Sequence, residues 1–200
     1  MAISRLYYPN PIEPGQTISL DKNASHHLIR VTRTKKGSDI ILFNGDGFEY
    51  SATLLDENPK SCSVVVNNKE STRRESPVHI TLFQGISRSD RMDTCIQKST
   101  ELGVNTIVPL ICERTTTKLK GDRADKKIAH WQQIIISACE QSGRCVIPEL
   151  HPIAHYSQAL QTTDSDCKFV LAPDSQTGLK DIPSPEGNIY ILVGPESGLT

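Results

Sequence analysis

Short apolar runs alternate with helical patterns over the second half of the chain, and this alternation limits the folds available to it. Four runs have the length and continuity of buried strands: residues 78–83, 106–111, 169–172 and 189–193. Helices are predicted over residues 90–102 and from about residue 122 to residue 142. Strands that alternate with helices form largely parallel sheets covered by those helices. The sequence therefore predicts an α/β domain here.

Both predicted helices carry boundary signals. Ser87 and Asp90 have the spacing of a capping box before the first helix, and Gly103 suits its end. Spacings of four and three predict one buried stripe along the second helix, and Gly143 predicts its end. The stripe consists of Ala124, Ile128, Trp131, Ile135 and Ala138.

The first part of the chain has a different pattern, with short β-rich runs at residues 39–43, 48–54 and 61–66. Asn44-Gly45-Asp46-Gly47 separates the first two runs and supplies the positive φ that tight hairpins require. We expect a small antiparallel barrel or sandwich. The charged segment 69–76 ends at Pro77, which disfavours a helix running into it. We place the domain boundary there, giving domains 1–72 and 73–200.

A basic cluster lies between the first strands of this part and contains no acidic residue. Its members are His26, His27, Arg30, Arg33, Lys35 and Lys36. The spacing of Leu28, Val31 and Thr32 predicts a short buried helix that leaves the arginines on a neighbouring face. Because the formal net charge is only -1, RNA binding would require such a local patch. Solvated surface is the commoner explanation of a short basic run, and the two histidines could be core or capping residues.

The sequence also predicts where the protein resides. It has no apolar run near the roughly 18 residues of a spanning helix, and its N-terminus lacks a signal peptide's apolar core. A cytoplasmic protein without a membrane partner is expected. The six cysteines lack the spacing of zinc ligands, which predicts reduced, mostly buried thiols and no metal site.

Three segments could carry chemistry. The run 189–199 is a buried strand that enters a glycine-containing turn, and ligands bind at such strand ends in open α/β sheets. An ordinary strand-to-helix turn fits it equally well. Glu140 and Arg144, at the end of the second helix, could bind a polar ligand, or Arg144 could neutralise the helix C-terminus. Arg88 and Arg91 open the first helix, where most charges form a solvated face.

Together these strings resemble the RsmE family, SPOUT-class methyltransferases of 16S ribosomal RNA. The matching strings occur in the family's order across nearly the whole chain. They are His27-x-x-Arg30-Val31-x-Arg33, Ser87-Arg88-x-x-Arg91-Met92, Gln97-Lys98-Ser99-x-Glu101-Leu102-Gly103, Ala138-Cys139-Glu140-Gln141-Ser142-Gly143-Arg144 and Gly194-Pro195-Glu196-x-Gly198-Leu199.

The resemblance implies a two-domain α+β protein with an N-terminal PUA-like β-barrel for RNA docking. The second domain would be an α/β SPOUT domain, with a trefoil knot, that binds S-adenosylmethionine. It also implies a homodimer with the active site near the subunit interface, and methylation of N3 of one uridine in 16S rRNA of the small ribosomal subunit. No metal is required, because the sulfonium already carries an activated methyl group.

We predict three groups of functional residues on this basis and from the patterns above. Arg144 is expected to stabilise the uracil oxygens or a nearby phosphate, and Glu140 to act as the base. The cofactor-binding group is Leu171, Ala172, Pro173, Leu192, Val193, Gly194, Pro195, Glu196, Gly198 and Leu199. The RNA-binding group is His27, Arg30, Arg33, Lys35, Lys36, Arg88 and Arg91.

The sequence departs from the family at two points. Ser197 replaces a glycine, and serine would strain the loop if that position needs positive φ. The chain ends at Thr200, where family members continue, so a truncated methyltransferase domain with an incomplete knot is expected. A non-catalytic rRNA-binding protein is the main alternative, and a nucleotide-dependent metabolic enzyme is a third.

Overall fold

The computed structural model describes residues 3–72, 74–113, 119, 121–159, 167–172, 174–182 and 186–199. The chain divides into two compact units. The first unit comprises Met1–Arg74 and Cys139–Ile147, and the second comprises Glu75–Ala138 and Pro148–Thr200. The stretch Cys139–Ile147, which the predicted boundary assigns to the second domain, thus packs with the first unit.

Five strands form one sheet in the first unit. They are β1 (Ser4–Tyr7), β2 (Thr17–Ser19), β3 (Asp39–Phe43), β4 (Phe48–Leu54) and β5 (Ser63–Ser71), in the order β1-β3-β4-β5-β2. The predicted β3–β4 hairpin is confirmed, with positive φ at Gly45 and Gly47. The antiparallel prediction is wrong at the edge of the sheet, because β1 pairs with β3 in parallel. Alternate side chains of the central strands, including Ile40, Leu42 and Leu54, are fully buried in its core.

The short helix predicted around Leu28 takes another form. Helix α1 (Lys22–His26) begins after Asp21, whose carboxylate accepts the Asn23 N–H (2.7 Å) and the Ala24 N–H (2.9 Å). A π-helical turn, His27–Val31, follows directly. Leu28 is fully buried, but Val31 is 61% exposed, so the predicted shared face is wrong. The wider i→i+5 turn, closed by the Thr32 N–H on the His27 carbonyl, rotates Val31 away from the core.

The second unit contains the predicted parallel sheet. Its strands are β6 (His79–Gly85), β7 (Thr106–Ile111), β8 (Glu149–Leu150), β9 (Ala154–His155), β10 (Cys167–Leu171) and β11 (Asn188–Val193). The order is β10-β11-β6-β7-β8, with β9 also paired to β7, and every one of these pairings is parallel. The strand order reverses between β6 and β11, and ligands of open α/β sheets bind at such a reversal.

The two long helices lie close to their predicted bounds. Helix α2 spans Ser89–Glu101 and α3 spans Asp122–Ser142, with positive φ at the glycines that follow them, Gly103 and Gly143. The predicted capping box is wrong. Arg88 is the N-cap residue without a side-chain cap, and the Ser87 hydroxyl donates instead to the Gly85 carbonyl (3.5 Å).

The predicted stripe of α3 is buried at Trp131, Ile135 and Ala138 and only half-buried at Ala124 and Ile128. Asp93 of α2 accepts hydrogen bonds from α3, from the Trp131 indole N–H at 3.2 Å and from the His130 ring at 2.8 Å. A one-turn helix α4 (Tyr156–Ala159) and a 3-10 turn (Leu179–Asp181) complete the helical elements of the described part of this unit.

The described residues also show the environment of the cysteines and bear on metal binding and membrane spanning. Four of the six cysteines are buried and the other two are half-buried, which confirms the predicted burial of the thiols. Within the described ranges, no group of three His, Cys, Asp or Glu side chains could hold a metal ion. Among the described residues, none of the helices combines the length and the apolar character that crossing a membrane requires.

Candidate functional site

The reversal point of the parallel sheet is built from two strand ends in close contact. A Cβ atom added to Gly85, at the end of β6, would lie 2.6 Å from the Pro195 nitrogen and 3.0 Å from the Gly194 carbonyl carbon. Only glycine therefore permits this approach of the two backbones. Gln84, which is 4% exposed, donates to the Gly85 carbonyl (2.9 Å) and accepts the Cys95 thiol (3.2 Å). The bond to Cys95 links the end of β6 to α2, and Gly85 itself faces the loop of residues 194–199, called the 194–199 loop below.

Glu196 connects this loop to the start of α2. Its Oε1 accepts the Arg88 backbone N–H at 3.3 Å and lies 3.3 Å from Nη1 of Arg91. Hydrogen bonds from its own backbone N–H and from Arg88, with the charge of Arg91, hold the pKa of Glu196 below its usual value. The structure thus brings together Glu196, predicted to bind the cofactor, and Arg88 and Arg91, predicted to bind RNA.

Ser197 does not have the positive φ that would have strained it. Among the described residues other than glycine, positive φ occurs at Arg33 alone, whereas Gly198 has a φ of 85°. The Gly198 N–H donates to the Pro195 carbonyl (2.9 Å), so residues 195–198 form a turn with Ser197 in an ordinary conformation. The serine is therefore compatible with this loop.

The remaining predicted cofactor residues lie along the ends of β10 and β11. Leu171 and Ala172 line an open cavity of about 580 Å³ together with Phe169, Ser175 and Ile182. This volume is in the range of small-molecule pockets. Leu192 is 4% exposed and supports the sheet from within, as part of a cluster against which Leu199 packs. Pro173 lies outside the described residues.

Glu140, near the end of α3, belongs to the first unit. Its Oε1 accepts the backbone N–H of Tyr7 in β1 at 3.0 Å. Burial raises the pKa of the Glu140 carboxyl, against the opposing effects of that hydrogen bond and of the nearby charges of His27 and Arg5. A carboxylate with a raised pKa is suited to proton transfer near neutral pH.

Arg144 also belongs to the first unit, and its side chain is buried, with 5% of its surface exposed. Arg5 donates to the Arg144 carbonyl (3.2 Å), and Arg74 donates to the Gly143 carbonyl (2.8 Å). Two other arginines thus satisfy the last carbonyls of this segment, a role that the sequence suggested for Arg144. Neither arginine was predicted, because they are 139 and 69 residues away along the chain and no spacing rule connects them.

The predicted RNA-binding residues of the first unit form an exposed cluster: His27, Arg30, Arg33, Lys35 and Lys36. The fold adds one acidic residue, because Glu57 lies 3.4 Å from the Lys35 ammonium and accepts the Lys36 N–H (3.1 Å). Arg33 has a φ of 55°, and the π-helical turn begins at His27. Both backbone features are uncommon and are found disproportionately at functional sites.

Two family matches divide the chain in the same order as the two predicted domains. Residues 74–200 match the RNA methyltransferase domain family, and residues 20–67 match the RNA methyltransferase PUA domain family. Among curated proteins, the chain is 33% identical over 199 residues to ribosomal RNA small subunit methyltransferase E of Buchnera aphidicola subsp. Schizaphis graminum, covering 99% of this chain and 81% of that protein. The Bacillus subtilis protein of the same name is 31% identical, with 94% and 77% covered.

Solved structures give the same result. Ribosomal RNA small subunit methyltransferase E from Neisseria gonorrhoeae, bound to S-adenosyl methionine, is 42% identical with a TM-score of 0.93, covering all of this chain and 82% of that one. A putative methyltransferase from Legionella pneumophila in complex with the same cofactor is 36% identical with a TM-score of 0.95, covering 100% and 83%.

Proposed function

The chain belongs to the ribosomal RNA small subunit methyltransferase E family, and we propose that it transfers a methyl group from S-adenosylmethionine to N3 of one uridine in 16S rRNA. The proposal is supported by the reversal point of the parallel sheet, where Gly85 admits the 194–199 loop, and by a cavity along β10, the strand that pairs with β11. The Neisseria gonorrhoeae relative, solved with S-adenosyl methionine, covers this region.

The cofactor pocket would be formed by the ends of β10 and β11. Leu171 and Ala172 provide an apolar wall for an adenosine group, and the backbone groups of the 194–199 loop provide hydrogen-bond donors and acceptors. Pro173 belongs to the same proposed pocket. The Glu196 side chain is bonded to α2, so we expect it to hold the loop in place. When bound, S-adenosylmethionine supplies an activated methyl group on its sulfonium sulfur.

Isothermal titration calorimetry with S-adenosylhomocysteine tests this pocket. Binding with one site per chain is the expected result. Binding of NAD or ATP without binding of S-adenosylhomocysteine would contradict the proposed cofactor and favour a nucleotide-dependent metabolic enzyme.

The chemical roles are assigned to Glu140 and Arg144. N3 of uracil carries an imide proton, so methylation requires a base for that proton and positive charge near the two ring oxygens. The raised pKa of Glu140 supports its assignment as the base. Arg144 is 5% exposed, which favours contact with an inserted uracil base over contact with a surface phosphate. The small ribosomal subunit as partner, a homodimer with the active site near its interface, and a cytoplasmic location are part of the same proposal.

Replacing Glu140 with glutamine should abolish most of the methyl-transfer activity. The stability of the variant, compared with that of wild type at the same pH, should increase as pH rises. The carboxyl has a raised pKa when folded, so its stabilising contribution is present at low pH and is lost as pH rises through that pKa. Glutamine keeps an acceptor for the Tyr7 N–H and cannot ionise. Thermal unfolding between about pH 4 and about pH 8 should show the variant gaining on wild type as pH rises, while kcat falls by about 100-fold or more. Wild-type kcat in the variant would exclude Glu140 as the base.

The basic cluster of the first unit should bind RNA through Arg33, and two substitutions separate its charge from its backbone. Arg33→Ala and Arg33→Gly should both weaken RNA binding. In both variants the slope of the logarithm of the binding constant against the logarithm of the salt concentration should be smaller in magnitude by about one. Because Arg33 has a positive φ, the glycine variant should be more stable than the alanine variant by about 1 kcal/mol. Fluorescence anisotropy at several salt concentrations and chemical unfolding measure the two effects.

Lys60→Ala is the matched control, because Lys60 is an exposed cation of the same unit outside the cluster. An equal loss of slope in this control would show that general charge, and not the cluster, determines RNA binding.

A further inference from the structure

Three charged side chains of the first unit meet at the end of α3. Glu49, in β4, forms an ion pair with Arg5 of β1, and the same carboxylate oxygen lies 2.5 Å from Nη1 of Arg74. The side chains of Arg5 and Glu49 are each only 12% exposed, whereas that of Arg74 is 50% exposed. One largely buried carboxylate therefore holds two guanidinium groups.

Both guanidinium groups also bind the backbone beyond α3. Arg74 donates to the Gly143 carbonyl (2.8 Å) and Arg5 to the Arg144 carbonyl (3.2 Å). The next carbonyl, of Cys145, accepts the Gly47 N–H (3.2 Å) from the β3–β4 hairpin. These carbonyls follow Ser142, the last residue of α3, and therefore have no partner within the helix. Each of the three is fixed by a donor from another part of the first unit.

These buried ion pairs contribute more to fixing the positions of their partners than to the stability of the fold. Within the described part of the chain, the buried Nε of Arg5 has no hydrogen-bond partner, and the guanidinium lies 5.2 Å from the centre of the Phe43 ring. Buried ion pairs add little stability compared with apolar packing of the same volume. They do impose one arrangement on their partners, and the partner here is the backbone of residues 143–145.

We propose that Arg5, Glu49 and Arg74 are positioning residues for methyl transfer, which fix the backbone of residues 143–145 and thereby the place of the Arg144 side chain. The inference rests on the proposed function of Arg144. Arg5 and Arg74 hold the backbone directly, and Glu49 orients both of them. None of the three contacts substrate in this account.

Glu49→Gln tests the proposal, because the amide keeps the shape of the side chain and removes the charge that orients both arginines. We expect kcat for methylation of small ribosomal subunits to fall roughly 10- to 100-fold, the loss typical of a reacting group displaced by about 1 Å. The affinity for S-adenosylhomocysteine should stay within about twofold of wild type, since Glu49 is not one of the proposed cofactor residues. This split between kcat and cofactor affinity separates positioning from general loss of structure.

A double-mutant cycle with Arg144→Ala shows whether Glu49 affects kcat through Arg144. If Glu49 acts through Arg144, the loss caused by Glu49→Gln should nearly disappear in the Arg144→Ala background. An undiminished loss in that background would overturn the proposal, as would wild-type kcat in the single variant. If Arg144→Ala itself has wild-type kcat, the proposed role of Arg144 fails first, and the cycle distinguishes this outcome from the other two.

Two further variants keep the test interpretable. Asp39→Asn removes an exposed carboxylate of the same sheet, which accepts the Thr53 hydroxyl at 3.3 Å, and it should have wild-type kcat. Arg74→Gln provides the test if Glu49→Gln does not fold, because the Arg74 side chain is half exposed. It should lower kcat several-fold, and an unchanged kcat in Arg74→Gln would overturn the proposal.

Discussion

Replacing Arg144 with alanine should lower kcat for methyl transfer by about 100- to 1,000-fold, the loss typical of removing one preorganised stabiliser of negative charge. Removal of the N3 proton places negative charge on the uracil oxygens, and the Arg144 side chain is held in a buried position, 5% exposed, where such a charge is stabilised most effectively. Affinity for S-adenosylmethionine should remain near wild type, because Arg144 is proposed to contact the uracil base and not the cofactor.

Single-turnover methylation of small ribosomal subunits, together with calorimetry, measures both quantities. Arg123→Ala is the control for the loss of an arginine, since Arg123 is exposed at the start of α3 and lies in no proposed site. Normal turnover by Arg144→Ala would eliminate the proposed role, and equal losses in the two variants would indicate a general charge effect.

Replacing Gly85 with alanine should abolish cofactor binding and destabilise the second unit by about 1–3 kcal/mol, the usual cost of overpacking a closely packed site. The new methyl group would lie 2.6 Å from the Pro195 nitrogen and 3.0 Å from the Gly194 carbonyl carbon, and both are backbone atoms that cannot rotate away. Either β6 or the 194–199 loop must move, and both form the proposed pocket. Calorimetry with S-adenosylhomocysteine and urea unfolding measure the two effects.

Gly103→Ala is the control for this substitution. Gly103 belongs to the second unit and lies in no proposed site, and a Cβ there would meet no atom of the described residues within 4 Å. Its φ of 102° makes alanine destabilising by about 1 kcal/mol, but the variant should bind S-adenosylhomocysteine as wild type does. Wild-type binding by Gly85→Ala would show that the close contact of the two strand ends is unimportant for the pocket.

Glu196 in the second unit and Glu140 in the first have opposite electrostatic environments. Hydrogen bonds and the charge of Arg91 lower the pKa of Glu196, which suits a permanent anion that holds a loop. Burial raises the pKa of Glu140, which suits a group that exchanges a proton. Environment thus separates two chemically similar residues into different roles.

The sequence predicted those parts of the fold that depend on local periodicity. The parallel sheet, helix α3 and the glycine at its end follow from apolar spacing, because one face of each element must be buried. Two predictions were wrong because a different local hydrogen bond formed in place of the predicted one. A π-helical turn replaced the α-helical period after His27, and the Ser87 hydroxyl bonded the Gly85 carbonyl instead of capping α2.

The contacts of Glu140 and of the Arg144 backbone within the first unit could not be predicted from the sequence. Glu140 binds Tyr7 across 133 residues, and Arg5 binds the Arg144 carbonyl across 139 residues. Hydrogen bonds at such separations are set by tertiary packing, which no spacing rule encodes. The family resemblance identified Glu140 and Arg144 as candidates, and the structure showed which groups bind the Glu140 carboxylate and the Arg144 carbonyl.

Methyl transfer by this protein can be measured with small ribosomal subunits whose 16S rRNA lacks the modification, incubated with S-adenosylmethionine carrying a labelled methyl group. We expect the label to enter the rRNA at one uridine and to be recovered after digestion as 3-methyluridine. Binding of the subunit without any transfer of label would exclude the proposed activity and favour a non-catalytic rRNA-binding protein, and label on another atom or base would exclude the proposed N3 specificity.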